Sequence, residues 1–135
     1  LRDVYKRQLV DQYDSYKMLD SLHVDGKLTL GENIADLGGM NVAYNGLLKA
    51  LEGKNKEEKI DGFTPEQRFV LSYAQVWRAN IRDEETMRRL KEDVHSPGEA
   101  RVNGIVYNIP AFYTAFNIQP TDSRYIAPEN RADIW

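Results

Sequence analysis

Apolar positions along the chain recur mostly at three- and four-residue spacing, the period of a helix with one buried face. Leu9, Tyr13, Tyr16 and Leu19 keep that spacing and predict a helix over Leu9 to Leu22. A second helix is expected from near Thr29 to about Leu51, with Ile34, Leu37, Val42, Leu47 and Leu51 facing inward. Between the two, Asp25-Gly26 reads as a turn and Lys27 to Leu30 as short and extended. "EGKNKEEKIDG", Glu52 to Gly62, is a charged, solvated linker. "TPEQ", Thr64 to Gln67, has the form of a capping box with proline at the first helical position. The helix it opens carries Phe69, Val70, Tyr73, Val76 and Trp77 on its apolar side. Asp83 can cap a further helix reaching about Val94, and Pro97 forbids its continuation. "RVNGIVYN", Arg101 to Asn108, alternates as a strand does, and Asn108 can cap a short helix with Phe112, Tyr113 and Phe116. The remaining tail reads as irregular. The expected fold is mainly α with one or two short strands.

Composition narrows the function. A chain of 135 residues builds one domain with a real core. Eighteen basic against 21 acidic residues give a net charge of -3, with no basic stripe for a nucleic-acid partner. No run of about 18 apolar residues predicts membrane contact. The chain has no cysteine, which excludes disulfides, thiolate zinc sites and a cysteine nucleophile. Its two histidines, His23 and His95, lie far apart. Metal chemistry must therefore lean on carboxylates or on ligands outside this sequence. The first eight residues, "LRDVYKRQ", are strongly charged. They read equally as an extension of the first helix or as a non-native end, leaving residues 9–135 as the domain proper.

The stretch "TLGENIADLGG", Thr29 to Gly39, sets a puzzle. Glu32 and Asp36 share one helix face, where like charges repel. Thr29 to Glu32 fits a capping box, which would make Glu32 a partner for a backbone donor and Asp36 an ordinary exposed acid. Gly38 and Gly39 argue otherwise, since each costs a helix roughly 1 kcal/mol relative to alanine. Their use would be close approach of another backbone, which places this face in an interface. Carboxylates buried there need partners.

"GENIADLGG" resembles the third-ligand motif of the neprilysin and endothelin-converting-enzyme family of zinc metallopeptidases. "DVHSPGEARVNG", Asp93 to Gly104, is similar to that family's segment with a histidine and an arginine six residues apart. "RFVLSYAQVWR" and the terminal Trp135 fit as well, and "NRADIW" is similar to bacterial members. The resemblance runs from about residue 9 to Trp135. It implies the C-terminal portion of a thermolysin-like zinc peptidase catalytic domain. The family's HExxH helix, with two zinc ligands and the general base, is not in this sequence and lies upstream in the family.

The resemblance implies a role for each matched position. Glu32 is the third ligand of one zinc ion, whose two histidine ligands come from the upstream segment. Asp36 orients a ligand histidine. His95 stabilises the oxyanion of the tetrahedral state, and Arg101 grips a substrate backbone carbonyl. The parent enzyme would be a zinc metalloendopeptidase acting on peptides in an extracytoplasmic setting. This segment, lacking HExxH, would need the rest of its catalytic domain and be inactive alone. Taken singly, His95 before Ser-Pro reads as a turn residue and Arg101 as a surface ion pair; the joint spacing lifts both. A non-catalytic helical binding domain derived from the same fold is the alternative. A minimal metal site made only of Glu32, Asp36 and His95 would be ligand-poor.

Overall fold

The helical period is realised in a computed structural model that describes residues 2–134. The tryptophan at position 135 lies outside the described residues. Helix α1 (Arg2–Asp14) leads into a hairpin of β1 (Lys17–Leu19) and β2 (Leu22–His23). Helices α2 (Leu30–Ala50), α3 (Pro65–Val76), α4 (Asp83–Glu92), α5 (Gly98–Val106) and α6 (Pro110–Ala115) follow, and a single 3-10 turn covers Pro128–Asn130.

The first helix stops earlier than its apolar period predicts. Ser15 Oγ donates to the Gln12 carbonyl, and Tyr16 N–H bonds the Tyr13 carbonyl, tightening the last turn. The chain then reverses at Asp20, whose φ of 48° is left-handed. Leu19 and Leu22 pair across the antiparallel hairpin. Two leucines three apart fit a helix face and a tight hairpin equally, which is why the period misleads here. Residues 27–29 are turn rather than extended, because Asp25 Oδ1 accepts from Lys27 N–H and Leu28 N–H, and Leu30 already begins α2.

The expected strand at Arg101 to Asn108 is helix α5. Pro97 supplies an extended N-cap residue and Glu99 sits in the first turn. Ala100, Arg101, Gly104 and Ile105 are all buried, a three- and four-residue rhythm that the alternating letters conceal. Two glycines let this short helix pack. A Cβ on Gly104 would run into the ring of the fully buried Tyr13, and one on Gly98 into the Trp77 carbonyl.

Of the expected caps, the one at Thr64 holds and those at Asp83 and Asn108 do not. Thr64 Oγ1 accepts from Gln67 N–H, and Gln67 Oε1 accepts from Thr64 N–H, closing the capping box around Pro65. Asp83 begins α4 without a side-chain cap bond, because Arg82 is the N-cap residue. Asn108 does not cap α6. Its amide donates to Gln12 Oε1 and the Gly104 carbonyl, and its Oδ1 accepts from Ala132 N–H at 2.7 Å. It therefore ties α1, α5 and the tail together.

Leu9 and Tyr13 of α1, Leu37 and Met40 of α2, and Ile105 and Val106 of α5 form the centre of the core. Burial on this scale contributes roughly 1.5–3 kcal/mol for each large apolar side chain. Val70 and Leu90 bring α3 and α4 against it. The inward set expected on α2 is only partly realised. Leu37 is fully buried, Ile34, Leu47 and Leu51 are half-buried, and Val42 is 72% exposed.

Candidate functional site

Helix α2 carries Glu32 and Asp36, and the segment after α4 carries His95 and Arg101. Packing of α2 on α5 brings all four together. Asp36 and Arg101 form a two-pronged pair, with Arg101 Nε donating to Oδ2 at 2.6 Å and Nη2 donating to Oδ1 at 2.7 Å. Their side chains are only 14% and 10% exposed. The guanidinium also lies over the Trp77 ring, its Cζ 3.8 Å from the centroid. Tyr73 donates its hydroxyl to the Arg101 carbonyl. Burial works against the charge on Arg101, but the Asp36 pairing outweighs it and holds the guanidinium above its ordinary pKa. Burial, reinforced by the Asp36 charge, pushes the Tyr73 hydroxyl up to about 12.

Asp36 is thus not an ordinary exposed acid, and Glu32 is not a cap. Thr29 Oγ1 donates to the Asp25 carbonyl and makes no cap bond to α2. Glu32 instead turns to the open side of the helix. Its Oε2 lies 3.4 Å from His95 Nε2 and 3.9 Å from Arg101 Nη2. His95 is held from behind by Asp93, whose Oδ1 accepts from the His95 backbone N–H at 2.9 Å and lies 2.8 Å from Nδ1. Those two bonds, the backbone one first, hold the Asp93 carboxyl below the usual carboxylate range. With Nδ1 engaged, Nε2 points along the open edge toward Glu32.

Beside this edge lies a cleft of about 250 Å³ lined by Val76, Trp77, Ile81, His95, Pro97 and Arg101. The lining is mixed, since Arg89 and Asp93 join His95 and Arg101 there beside the apolar side chains. On the outer side of α2, Gly31, Ile34, Ala35, Gly39, Val42 and Ala43 form an uncovered apolar groove. Gly39 meets nothing within 4 Å, so the close approach expected of it is not made within this chain. Gly38 is buried.

The donor set tests the metal expectation directly. Glu32 offers one partly exposed carboxylate. Among the described residues no group of three or more His, Cys, Asp or Glu could hold a metal ion. The chain fits a zinc centre as one contributor and not as its whole ligand set. No helix of the described residues is long and apolar enough to cross a membrane.

A family model described as peptidase family M13 matches residues 3–132. The chain belongs to that family. It is 40% identical over 129 residues to an endothelin-converting enzyme homolog of Locusta migratoria, covering 94% of this chain and 17% of that protein. Human neprilysin is 35% identical over 131 residues, again covering 94% of this chain and 17% of the relative. Among solved structures, the zinc metalloprotease Zmp1 of Mycobacterium tuberculosis, in complex with an inhibitor, superposes with a TM-score of 0.92. It is 40% identical, covering 98% of this chain and 21% of Zmp1. PepO of Lactobacillus rhamnosis superposes at 0.79, with 36% identity. The chain thus spans about a fifth of the length of these relatives.

Two contacting residues escape a reading of the motifs alone. Asp93 carries a signal, since a carboxylate two residues before a histidine can bond both its backbone and its ring. Trp77 does not, because its stacking on Arg101 depends on α3 ending against the start of α5. His23 bonds the Asp14 carbonyl through Nδ1, a contact that ties β2 to the end of α1.

Proposed function

We propose that this chain forms the C-terminal part of the catalytic domain of a zinc metalloendopeptidase that hydrolyses peptide bonds in oligopeptides, inactive without its upstream part. The observation that carries the reading is the single edge on which Glu32, His95 and Arg101 meet, on a chain that belongs to peptidase family M13 and spans a fifth of its relatives. Glu32 would hold the zinc ion, with two histidines from the upstream part completing the set. When bound, zinc supplies Lewis-acid polarisation of the scissile carbonyl and activation of water.

The remaining work falls to this chain's own side chains. His95, with Nδ1 fixed by Asp93, presents Nε2 as a donor to charge that develops on the carbonyl oxygen. Arg101 is anchored through Nε and Nη2 by Asp36, which leaves Nη1 as the donor for a substrate carbonyl. Asp36 retains a second lone pair on each oxygen and can also accept from an upstream histidine. Trp77, Val76 and Ile81 would give a bound peptide apolar cover on one side of the cleft. The uncovered groove along α2 supports the upstream part of the same domain as partner. An extracytoplasmic location for the parent enzyme goes with this reading.

The test is Glu32→Gln in the enzyme that contains both parts. Because Glu32 makes no cap bond, the variant breaks no capping bond, and the first-turn charge it removes is worth only about 0.3–1 kcal/mol. We expect loss of zinc and turnover exceeding the roughly 10–100-fold that removal of an outer partner costs. Zinc content and kcat at the wild-type level would defeat the reading. Equilibrium dialysis of the 135-residue chain alone should find no tight zinc.

A further inference from the structure

We propose that Asn33 and Ser96 form a buried clasp that sets the separation between Glu32 and His95, an inference that rests on the roles given to those two residues above. Glu32 and His95 are 40% and 48% exposed and sit 3.4 Å apart. A contact so open to solvent does not hold itself in one geometry. The residues that directly follow them are different. Asn33 is 1% exposed and Ser96 is 4% exposed.

These two side chains bond each other across 63 residues of sequence, Ser96 Oγ donating to Asn33 Oδ1 at 2.9 Å. Asn33 Nδ2 donates in turn to Thr29 Oγ1 at 3.0 Å, and Thr29 Oγ1 donates to the Asp25 carbonyl at 2.8 Å. The chain of donors runs in one direction, and each hydroxyl proton is used once. All three side chains are buried, where such a relay strengthens and an unmade bond is most costly. Apolar residues in these places would pack α2 against the 95–97 turn without choosing a register. Directional bonds choose one.

A second link lies one turn further along α2, where Asp36 meets Arg101. Two links at different points fix the rotation of α2 against the following segment as well as its distance. The clasp is the one adjacent to both Glu32 and His95. Asn33 and Ser96 are therefore positioning residues. They touch no substrate and act through the neighbours whose backbone they hold.

The experiment uses the zinc-loaded enzyme containing both parts. Ser96→Ala removes one hydroxyl and leaves the volume nearly unchanged. Misplacing a group by 1 Å can cost a hundredfold, so a smaller displacement of His95 should lower kcat about tenfold. KM should stay within about twofold, because ground-state binding is not addressed. Zinc content should be retained, and Ser96→Thr should restore kcat. In a His95→Phe background Ser96→Ala should cost nothing further. Crystal structures of the wild-type and Ser96→Ala enzymes should show Glu32 and His95 further apart in the variant. Should Ser96→Ala not fold, Ser96→Cys fills the site with a weak donor, and the same readouts apply. Wild-type kcat with an unchanged separation would overturn the clasp. So would an equal loss of kcat in both backgrounds, which marks a merely structural role. If Glu32→Gln and His95→Phe both keep wild-type turnover, the functional reading has failed. The measured separation then decides the clasp by itself.

Discussion

Two sets of arginine–carboxylate contacts in this molecule have nearly the same bond lengths and opposite meaning. Between α2 and α5, Arg101 meets Asp36 at 2.6 and 2.7 Å. On α4, Glu85 takes Arg88 through two bonds of 2.9 Å and Arg89 through one of 2.7 Å. The first pair joins residues 65 apart and is nearly buried. The second joins neighbours three and four apart, with side chains 37–53% exposed. Distance is therefore a poor guide to worth. Burial decides what a broken bond leaves behind, and separation in sequence decides what the bond holds together. The α4 cluster decorates a helix that already exists, whereas the Asp36–Arg101 pair joins the two motif-bearing segments.

The sharpest way to break the comparison is Asp36→Ala. It strands a buried guanidinium against Trp77, and removing one partner of a buried pair costs about 3–5 kcal/mol. A fall in the urea midpoint at constant m-value is the expected signature. The double replacement Asp36→Leu with Arg101→Met should regain more than half of the loss, since a matched apolar pair leaves no unpaired charge. A single variant that unfolds at the wild-type midpoint would put the buried pair on a par with the surface cluster.

The same contrast explains what the sequence makes legible. Local signals are written in adjacent residues, so the Thr64 box and the length of α2 can be read directly, whereas α4 ends at Glu92, before the expected Val94, and Pro97 opens α5 instead of closing α4. Helix α5 could not be read as helix. Its alternating letters hide that Arg101 belongs to the buried face, and that burial exists only because Asp36 waits across the interface. The hairpin at Lys17 to His23 was lost because Leu19 and Leu22 satisfy two periods at once. Glu32, Asp36, His95 and Arg101 were legible only jointly, by the spacing of two motifs. That Asp36 pairs with Arg101, and that Glu32 is no cap, required the packing of α2 on α5. Asp93 was within reach, because its partner is two residues away.

A smaller effect tests the same seam from its apolar side. Gly104 of α5 faces the ring of Tyr13, which is fully buried. Gly104→Ala gains about 1 kcal/mol of helix propensity. It also forces a methyl into a packed aromatic, and overpacking costs typically 1–3 kcal/mol. The net expectation is modest destabilisation of up to about 2 kcal/mol, read as a lowered thermal midpoint. Gly46→Ala on α2, where nothing lies within 4 Å, is the control and should be neutral or stabilising. Equal responses at the two glycines would mean that α5 is not tightly seated.

The smallest effect belongs to the surface cluster, and its sign can be worked out. The bonds from Arg88 and then Arg89 lower the Glu85 carboxyl from its ordinary 4.5 to about 2. A carboxylate whose pKa is depressed in the fold adds stability above its unfolded pKa and loses it as pH falls through the folded one. The contribution of Glu85 is therefore complete near neutral pH and fades between about 4.5 and 2. Glu85 leaves 37% of its side chain in solvent, so water and salt screen it, and the shift is no measure of stability. Glu85→Gln should lower the thermal midpoint slightly at low ionic strength and neutral pH. The difference from wild type should vanish toward pH 2, where the native carboxyl also loses its charge. It should shrink at neutral pH too when salt is raised to about 0.15 M, where the screening length is near 8 Å. Asp36→Ala measured alongside should hardly respond to salt, because its partner is buried. A Glu85→Gln penalty that survived salt would show the α4 cluster doing the structural work that the comparison assigns to the buried pair alone.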